Sequence, residues 1–150
     1  MLTHFDEPSR IAFPRDGPPW LDLAISAQSP GRARAWARAV LAAWGLGHLT
    51  DDAELAVSEL VTNAVQASSR AGVREPVRVC LASIGAQLLI QVRDGCLAFP
   101  VLRHPNLTDE AGRGLMIVDL IAAEAGCHRT PGKPGKVVWC LITGDRASRP

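Results

Sequence analysis

The sequence predicts an α+β domain, a two-layer sandwich in which helices cover one face of a mainly antiparallel sheet. Two segments of the first half carry apolar residues at helical spacing, and the second half holds strand-like segments joined by short turns. This succession indicates helices layered on a sheet. The length of 150 residues suits one domain with one core, and 47% hydrophobic and 21% charged residues are typical of a globular protein.

The first 45 residues are predicted to contain an arm, a strand and a helix. Residues 1–19 are rich in proline and show no periodicity, so we expect a flexible N-terminal arm. Residues 20–25 suit an edge strand. The Ser-Pro pair at 29–30 predicts a helix start, and the helix is expected to run to about Trp44. Its buried stripe is expected to consist of six residues, three of them spaced by four and three beside them: Trp36, Val40 and Trp44, with Ala33, Ala37 and Leu41.

Residues 51–67 are predicted to form a second helix with two different faces. Asp51 is expected to be its N-cap, with Glu54 as the capping-box partner. At 100° per residue, one broad arc is apolar, and a narrow polar arc lies on the other side: Glu59, Thr62, Asn63 and Gln66. Glu59 and Asn63 are four residues apart and therefore lie one above the other. A carboxylate stacked on an amide suits a metal site or the activation of a hydroxyl, whereas a solvated polar face is the simpler alternative.

The second half of the chain is predicted to hold four strands, a long loop and one helix. Strands over 77–84 and 88–93 meet at Gly85-Ala86, which predicts an antiparallel hairpin. The loop over 96–111 is long for a compact domain, and such loops are often functional lids. The remaining elements are expected to be a helix over 115–124 and strands over 127–130 and 136–142. The domain is thus expected over residues 20–143, with 144–150 as a C-terminal tail.

Composition argues against several classes of protein. The formal net charge of +1 argues against a dedicated nucleic-acid binder. The four cysteines match no zinc pattern, so we expect reduced thiols in a cytoplasmic protein. The N-terminus lacks the apolar core of a signal peptide, and no run of about 18 apolar residues exists. We therefore expect no direct contact with nucleic acid or membrane.

Two further motifs could carry chemistry. Asp94 ends a strand and is followed by glycine, so its carboxylate could accept a hydrogen bond from an exocyclic amine such as that of adenine. An ordinary Asp-Gly turn is the alternative. Gly112-Arg113-Gly114 opens a helix, where free N–H groups, the helix dipole and an arginine favour phosphate. Here the alternative is a plain glycine-rich turn.

In this order along the chain, the motifs resemble those of a known superfamily. Glu59-Leu60-Val61-Thr62-Asn63-Ala64 resembles the N-box of the GHKL (Bergerat-fold) ATPases, and Val92-Arg93-Asp94-Gly95 resembles their first glycine box. Residues 112–118 resemble the second glycine box. Within the superfamily, the sequence is most similar to the anti-sigma-factor serine/threonine kinase type, particularly the short ATP-binding regulators of actinomycetes. The resemblance covers about residues 20–143.

The resemblance implies ATP and Mg²⁺ as cofactors and gives each motif a role. Asn63 would coordinate Mg²⁺, and Glu59 would be the general base that takes the proton of a partner's Ser or Thr hydroxyl. Asp94 would bind the adenine amine. The residues that would wrap the phosphates are Gly112, Arg113, Gly114 and Leu115.

The implied partners are a sigma factor and an anti-sigma-factor antagonist, which the protein would phosphorylate. Proteins of this type often dimerise, so a homodimer is a further expectation. Three residues depart from the family pattern: Cys96 and Ala98 replace glycines, and Ala67 replaces a histidine. They favour an alternative function, a nucleotide-gated interaction module with little or no kinase activity.

Overall fold

The computed structural model describes residues 3–4, 19–97 and 117–144 of the chain. A short 3₁₀ turn, Gly47–Leu49, precedes the second helix. In chain order the elements are β1 (Thr3–His4), β2 (Trp20–Leu23), α1 (Ser29–Ala43), α2 (Thr50–Ala71), β3 (Val77–Ile84), β4 (Gln87–Asp94), α3 (helical over 117–121), β5 (Glu124–Arg129) and β6 (Lys136–Ile142).

The strands form one sheet in the order β1-β5-β6-β4-β3-β2. Strands β2 to β6 pair antiparallel, and β1 pairs parallel with β5 at its edge. The predicted α+β fold, with helices on one face of a mainly antiparallel sheet, is confirmed. Thr3–His4 belongs to the segment expected to be an arm, so part of that segment joins the sheet. The domain boundaries stay predictions.

Residues of the sheet alternate between two faces. On β4, Leu88, Ile90 and Val92 pack into the core beneath the helices, whereas Leu89 packs on the opposite face with Ala82 and Trp139. The helices supply the other half of the core, mainly through the apolar arc of α2: Val57, Leu60, Val61 and Ala64. A fully buried Val or Leu side chain contributes about 1.5–3 kcal/mol of transfer free energy, so burial of this arc holds α2 against β4.

The buried side of α1 is the predicted one, but its residues are buried to different degrees. Three of them are fully buried: Ala33, Ala37 and Leu41. The other three, Trp36, Val40 and Trp44, are only partly buried and pack at the margin of the core. Alanine allows α1 to approach α2 closely, and the bulky indoles then cover the edge of the contact. Ser29 lies inside the helix, and its Oγ donates to the Ala24 carbonyl.

The predicted capping box of α2 is wrong. The helix begins at Thr50 after the 3₁₀ turn, its N-cap is Leu49, and no side chain caps it. Asp51 lies in the first turn, where a negative charge interacts favourably with the helix dipole. Glu54 instead accepts two hydrogen bonds from Arg38 of α1, at 3.0 and 2.6 Å. At the other end, Gly72 adopts the left-handed conformation that ends many helices.

The hairpin and β6 agree with the prediction, but the segment between them does not. The predicted helix over 115–124 has ended by residue 122, and Glu124 already begins β5. The cause is pairing with β6, because the Ala123 amide donates to the Leu141 carbonyl and draws the chain into the sheet. Apolar residues of this stretch fit helix and strand alike, so periodicity alone misplaces the boundary.

No helix in the described part of the chain is both long and apolar enough to span a membrane. The cytoplasmic location stays a prediction.

Candidate nucleotide site

Asp94 lies at the end of β4 and faces the helices. It follows Leu88, Ile90 and Val92 on the buried side of the strand, and it is only 3% exposed. Its Oδ1 accepts a hydrogen bond from the backbone amide of Cys96 at 2.8 Å. The Asp-Gly pair therefore does more than end a strand, because it places an acceptor-rich side chain in a buried position.

A second buried charge pairs with Asp94. Lys136 lies directly opposite it in the register of β4 and β6, and the Lys136 Nζ is 3.0 Å from Asp94 Oδ1. Lys136 is 4% exposed. The close approach of the strands depends on Gly135, which has a φ of 127° and whose Cβ position would collide with the Asp94 carbonyl. Sequence reasoning missed Lys136, although it is the one charged residue on the buried side of β6.

The end of α2 is connected to this pair through Cys96. The Ser68 hydroxyl and the Cys96 thiol share a hydrogen bond of 3.6 Å, and Ser68 is fully buried. Cys96 is buried as well, so its side chain occupies space at a position where the family pattern has glycine. The connection fixes the α2 helix relative to the carboxylate of Asp94.

Asn63 lies five residues before Ser68, a distance of about 7.5 Å along the helix axis. Its Nδ2 is buried and has no hydrogen-bond partner among the described residues. A buried donor left unpaired costs about 1–3 kcal/mol, so an orphaned amide is a reason to expect a ligand. An amide presents a donor and an acceptor, and Asn63 can therefore hold a phosphate oxygen or a cation. Asn63 therefore fits the Mg²⁺ and phosphates that the resemblance to the N-box implies.

Glu59 lies one helical turn before Asn63 and is half-buried. Among the described residues no three His, Cys, Asp or Glu side chains form a cluster that could hold a metal ion. Mg²⁺ is often bound through one or two protein oxygens together with phosphates. The side-chain carbonyl of Asn63 is suited to provide such an oxygen. The metal role stays a prediction.

The other two residues of the predicted polar arc lie elsewhere. Thr62 and Gln66 line a shallow groove of about 490 Å³ between α2 and the connection from β2 to α1. Its lining residues are Ile25, Ser26, Ala27, Pro30, Thr62, Val65, Gln66, Ser69 and Arg70. The arc is thus divided, and the groove does not include Glu59 or Asn63.

The second glycine motif falls outside the described residues. This holds for Gly112, Arg113, Gly114 and Leu115, and for most of the expected lid, including Ala98. Their roles stay predictions. Ala67, where the family pattern has histidine, is half-buried on α2.

Comparison with known proteins identifies a family. The family model of the histidine kinase-like ATPase domain matches residues 25–141. These residues include α1, α2 and the four strands from β3 to β6, although β6 extends one residue further. No curated protein matches the chain.

Proposed function

The chain belongs to the family of histidine kinase-like ATPase domains, and on that premise we propose that it is an ATP- and Mg²⁺-dependent protein kinase of the anti-sigma-factor type. In this role it phosphorylates a Ser or Thr of an anti-sigma-factor antagonist and exchanges that partner for a sigma factor. Family membership supports ATP binding and the use of ATP. The protein substrate, the sigma factor and the possible homodimer belong to the proposal.

One observation carries the proposal. The Asn63 amide is buried without a partner among the described residues, one turn from Glu59 on a helix that Ser68 and Cys96 tie to Asp94. A solvated polar face would instead leave the amide to water. These contacts support a site in which Asp94 meets the adenine, and Asn63 and Glu59 meet the phosphates.

The residues divide the work of phosphoryl transfer. Asp94 accepts a hydrogen bond from the adenine amine, and Asn63 holds the metal and the phosphates. Four further residues surround the phosphates: Gly112, Arg113, Gly114 and Leu115. Mg²⁺, when bound, neutralises charge on the phosphate oxygens. Glu59 takes the proton of the partner's hydroxyl while the hydroxyl oxygen attacks the γ-phosphorus. The bond from the γ-phosphorus to the bridging oxygen of the β-phosphate then breaks, and ADP leaves. A positioned base of this kind typically accelerates transfer by about 10²–10⁴-fold.

Cys96 supports a second candidate, a nucleotide-gated interaction module without useful kinase activity. Its thiol fills the space against Ser68, and a side chain there restricts the backbone more than glycine does. A stiffer entry to the lid would slow closure over the phosphates, and closure completes many transfer sites. Both candidates bind ATP, and they differ in the use of Glu59.

ATP binding is tested by titration calorimetry in the presence of Mg²⁺. We expect saturable binding to the unaltered protein and an affinity at least about tenfold lower in Asn63→Ala, because a charge-assisted contact contributes about 1.5–3 kcal/mol. Gln66→Ala is the matched control, since Gln66 lies on the same helix but lines the groove between α2 and the connection from β2 to α1. No heat with the unaltered protein would overturn the proposal, and equal affinity in Asn63→Ala would remove Asn63 from the site.

Transfer is tested with radiolabelled ATP and candidate antagonist proteins encoded by the same genome. Glu59→Gln is expected to bind ATP normally and to lose about 10²-fold or more of the transfer rate. Glu54→Gln is the control, because it makes the same change on the same helix at a residue that pairs with Arg38. Labelling of no antagonist by the unaltered protein, with ATP binding intact, would leave the interaction module as the function.

A further inference from the structure

We infer that Lys136 is a positioning residue for the nucleobase, because its ammonium group holds the buried Asp94 carboxylate in the orientation that meets the exocyclic amine of adenine. The inference rests on the proposed ATP site and adds to it the residue on which the preference for an amino-purine depends.

The geometry directs the Lys136 ammonium group to Asp94. The two residues are opposite each other on β4 and β6, and the Nζ to Oδ1 distance is 3.0 Å. The Cys96 amide donates to the same oxygen at 2.8 Å. Two donors on one oxygen restrict rotation of the carboxylate about its last bond. The direction in which Asp94 presents its other oxygen is therefore fixed before any ligand arrives.

The contribution of the Lys136–Asp94 ion pair to folding stability does not explain its presence in the core. Two charges at 3% and 4% exposure lose most of their hydration, and the attraction between them often only offsets that cost. An apolar pair would satisfy the core at least as well. The ammonium group instead stabilises a carboxylate acceptor in a buried position. Hydrogen bonds to a carboxylate are roughly twice as strong as hydrogen bonds between neutral groups.

Few other charges act on Asp94 from the elements around it. Arg129 lies opposite Lys136 on β5, and Cys127 faces the same core from β5. Burial raises the pKa of the Cys127 thiol to about 11, so this group stays neutral between pH 6 and 8.5. From α2 the nearest contact is the uncharged Ser68, through Cys96. On β4 itself, Arg93 points to the opposite face and pairs with Glu75.

Removal of the ammonium group is expected to loosen the Asp94 carboxylate. In Lys136→Met the donor at 3.0 Å is lost, and the Cys96 amide alone continues to donate to Oδ1. The carboxylate can then rotate more freely about its last bond. The hydrogen bond to the adenine amine loses its fixed direction and weakens.

The experiment compares ATP with purine riboside triphosphate, which lacks the amine but carries the same titrating triphosphate. The ratio of the two affinities, measured by calorimetry, isolates the contact with Asp94. We expect a preference for ATP of about tenfold or more in the unaltered protein. In Lys136→Met the preference should fall severalfold. Lys136→Arg should restore most of it, because a guanidinium also donates hydrogen bonds to a carboxylate.

Arg93→Met is the matched control, since it removes one positive charge beside Asp94 on the other face of the sheet. It should leave the ratio unchanged. An unchanged ratio in Lys136→Met would overturn the inference while ATP binding, and with it the proposed function, stands. If that variant does not fold, Lys136→Gln takes its place, and an unchanged ratio there overturns the inference equally. No binding of ATP to the unaltered protein would overturn both proposals.

Discussion

Single side chains decide how closely neighbouring strands and rings can pack, and Gly126 is an example. A Cβ at Gly126 would lie 2.8 Å from the Trp139 Cζ2, because the indole of β6 rests on the backbone of β5. A contact this short forces the ring or the strand to move. Glycine at this position is therefore required by packing across the sheet.

We expect Gly126→Ala to lower the free energy of unfolding by about 1–3 kcal/mol, the usual cost of overpacking. Urea unfolding followed by tryptophan fluorescence measures it. Gly47→Ala is the control, because a Cβ there would meet nothing within 4 Å. That variant should differ from the unaltered protein by less than about 0.5 kcal/mol. Equal stability of the two variants would show that Trp139 yields without cost.

At the residue scale, the sequence predicted the chemistry of Glu59, Asn63 and Asp94 but not their surroundings. Types and spacings are visible along a chain, whereas the partner of Asp94 is 42 residues away. Alternation with Val138, Cys140 and Ile142 would have placed Lys136 on a buried face. A buried lysine needs a negatively charged partner, and pairing of β6 with β4 brings the Asp94 carboxylate to it.

Among the elements, the contact between α1 and α2 has an apolar, buried centre and polar edges. Ala33, Ala37 and Leu41 are fully buried in it. At its edge Arg34 donates to the Ser58 hydroxyl at 2.7 Å, and Arg38 pairs with Glu54. The arginines are exposed, so these contacts align the helices more than they stabilise them. Burial at the centre supplies most of the free energy.

We therefore expect Leu41→Ala to cost about 2–5 kcal/mol of unfolding free energy, because it opens a cavity between α1 and the core. Arg38→Ala should cost less than about 1 kcal/mol. Thermal and urea unfolding of both variants gives the comparison. If Arg38→Ala proves the more harmful, the polar edge and not the apolar centre holds the helices together.

The elements were predicted well where one periodicity dominates. β3 and β6 have the predicted bounds, and α2 departs from its prediction mainly in its cap. The errors concern segments whose residues suit two structures, such as 122–124. There the choice depends on hydrogen bonds offered by β6, which no local pattern contains.

In the whole molecule, buried thiols couple stability to alkaline pH. Burial raises the pKa of Cys140 to about 12 from 9.0, whereas the unfolded chain exposes the thiol. Above pH 9 the unfolded state therefore loses this proton and the folded state keeps it. Stability from this group is complete below pH 9 and declines as the pH rises toward 12. The chain contains no tyrosine, which removes one group that otherwise titrates in this range.

The decline is expected to reach about 2 kcal/mol at pH 10.5 from Cys140 alone, at about 1.4 kcal/mol per pH unit. Urea unfolding from pH 8 to 10.5 under reducing conditions should show a shallower decline in Cys140→Ala. Val138→Ala, on the same face of β6, should lose stability without changing the slope. Identical slopes in all three proteins would mean that Cys140 does not contribute to the alkaline decline.

The sequence by itself determined the α+β class, most of the elements and the motif residues, because hydrophobic periodicity and turn residues act over a few neighbours. The tertiary structure decided which residues meet. Only the order of the sheet brings β6 beside β4 and places Lys136 against Asp94, and only the packing of α2 buries the Asn63 amide without a partner among the described residues. Such contacts join residues far apart in the chain, and their energies depend on burial that no segment can produce alone.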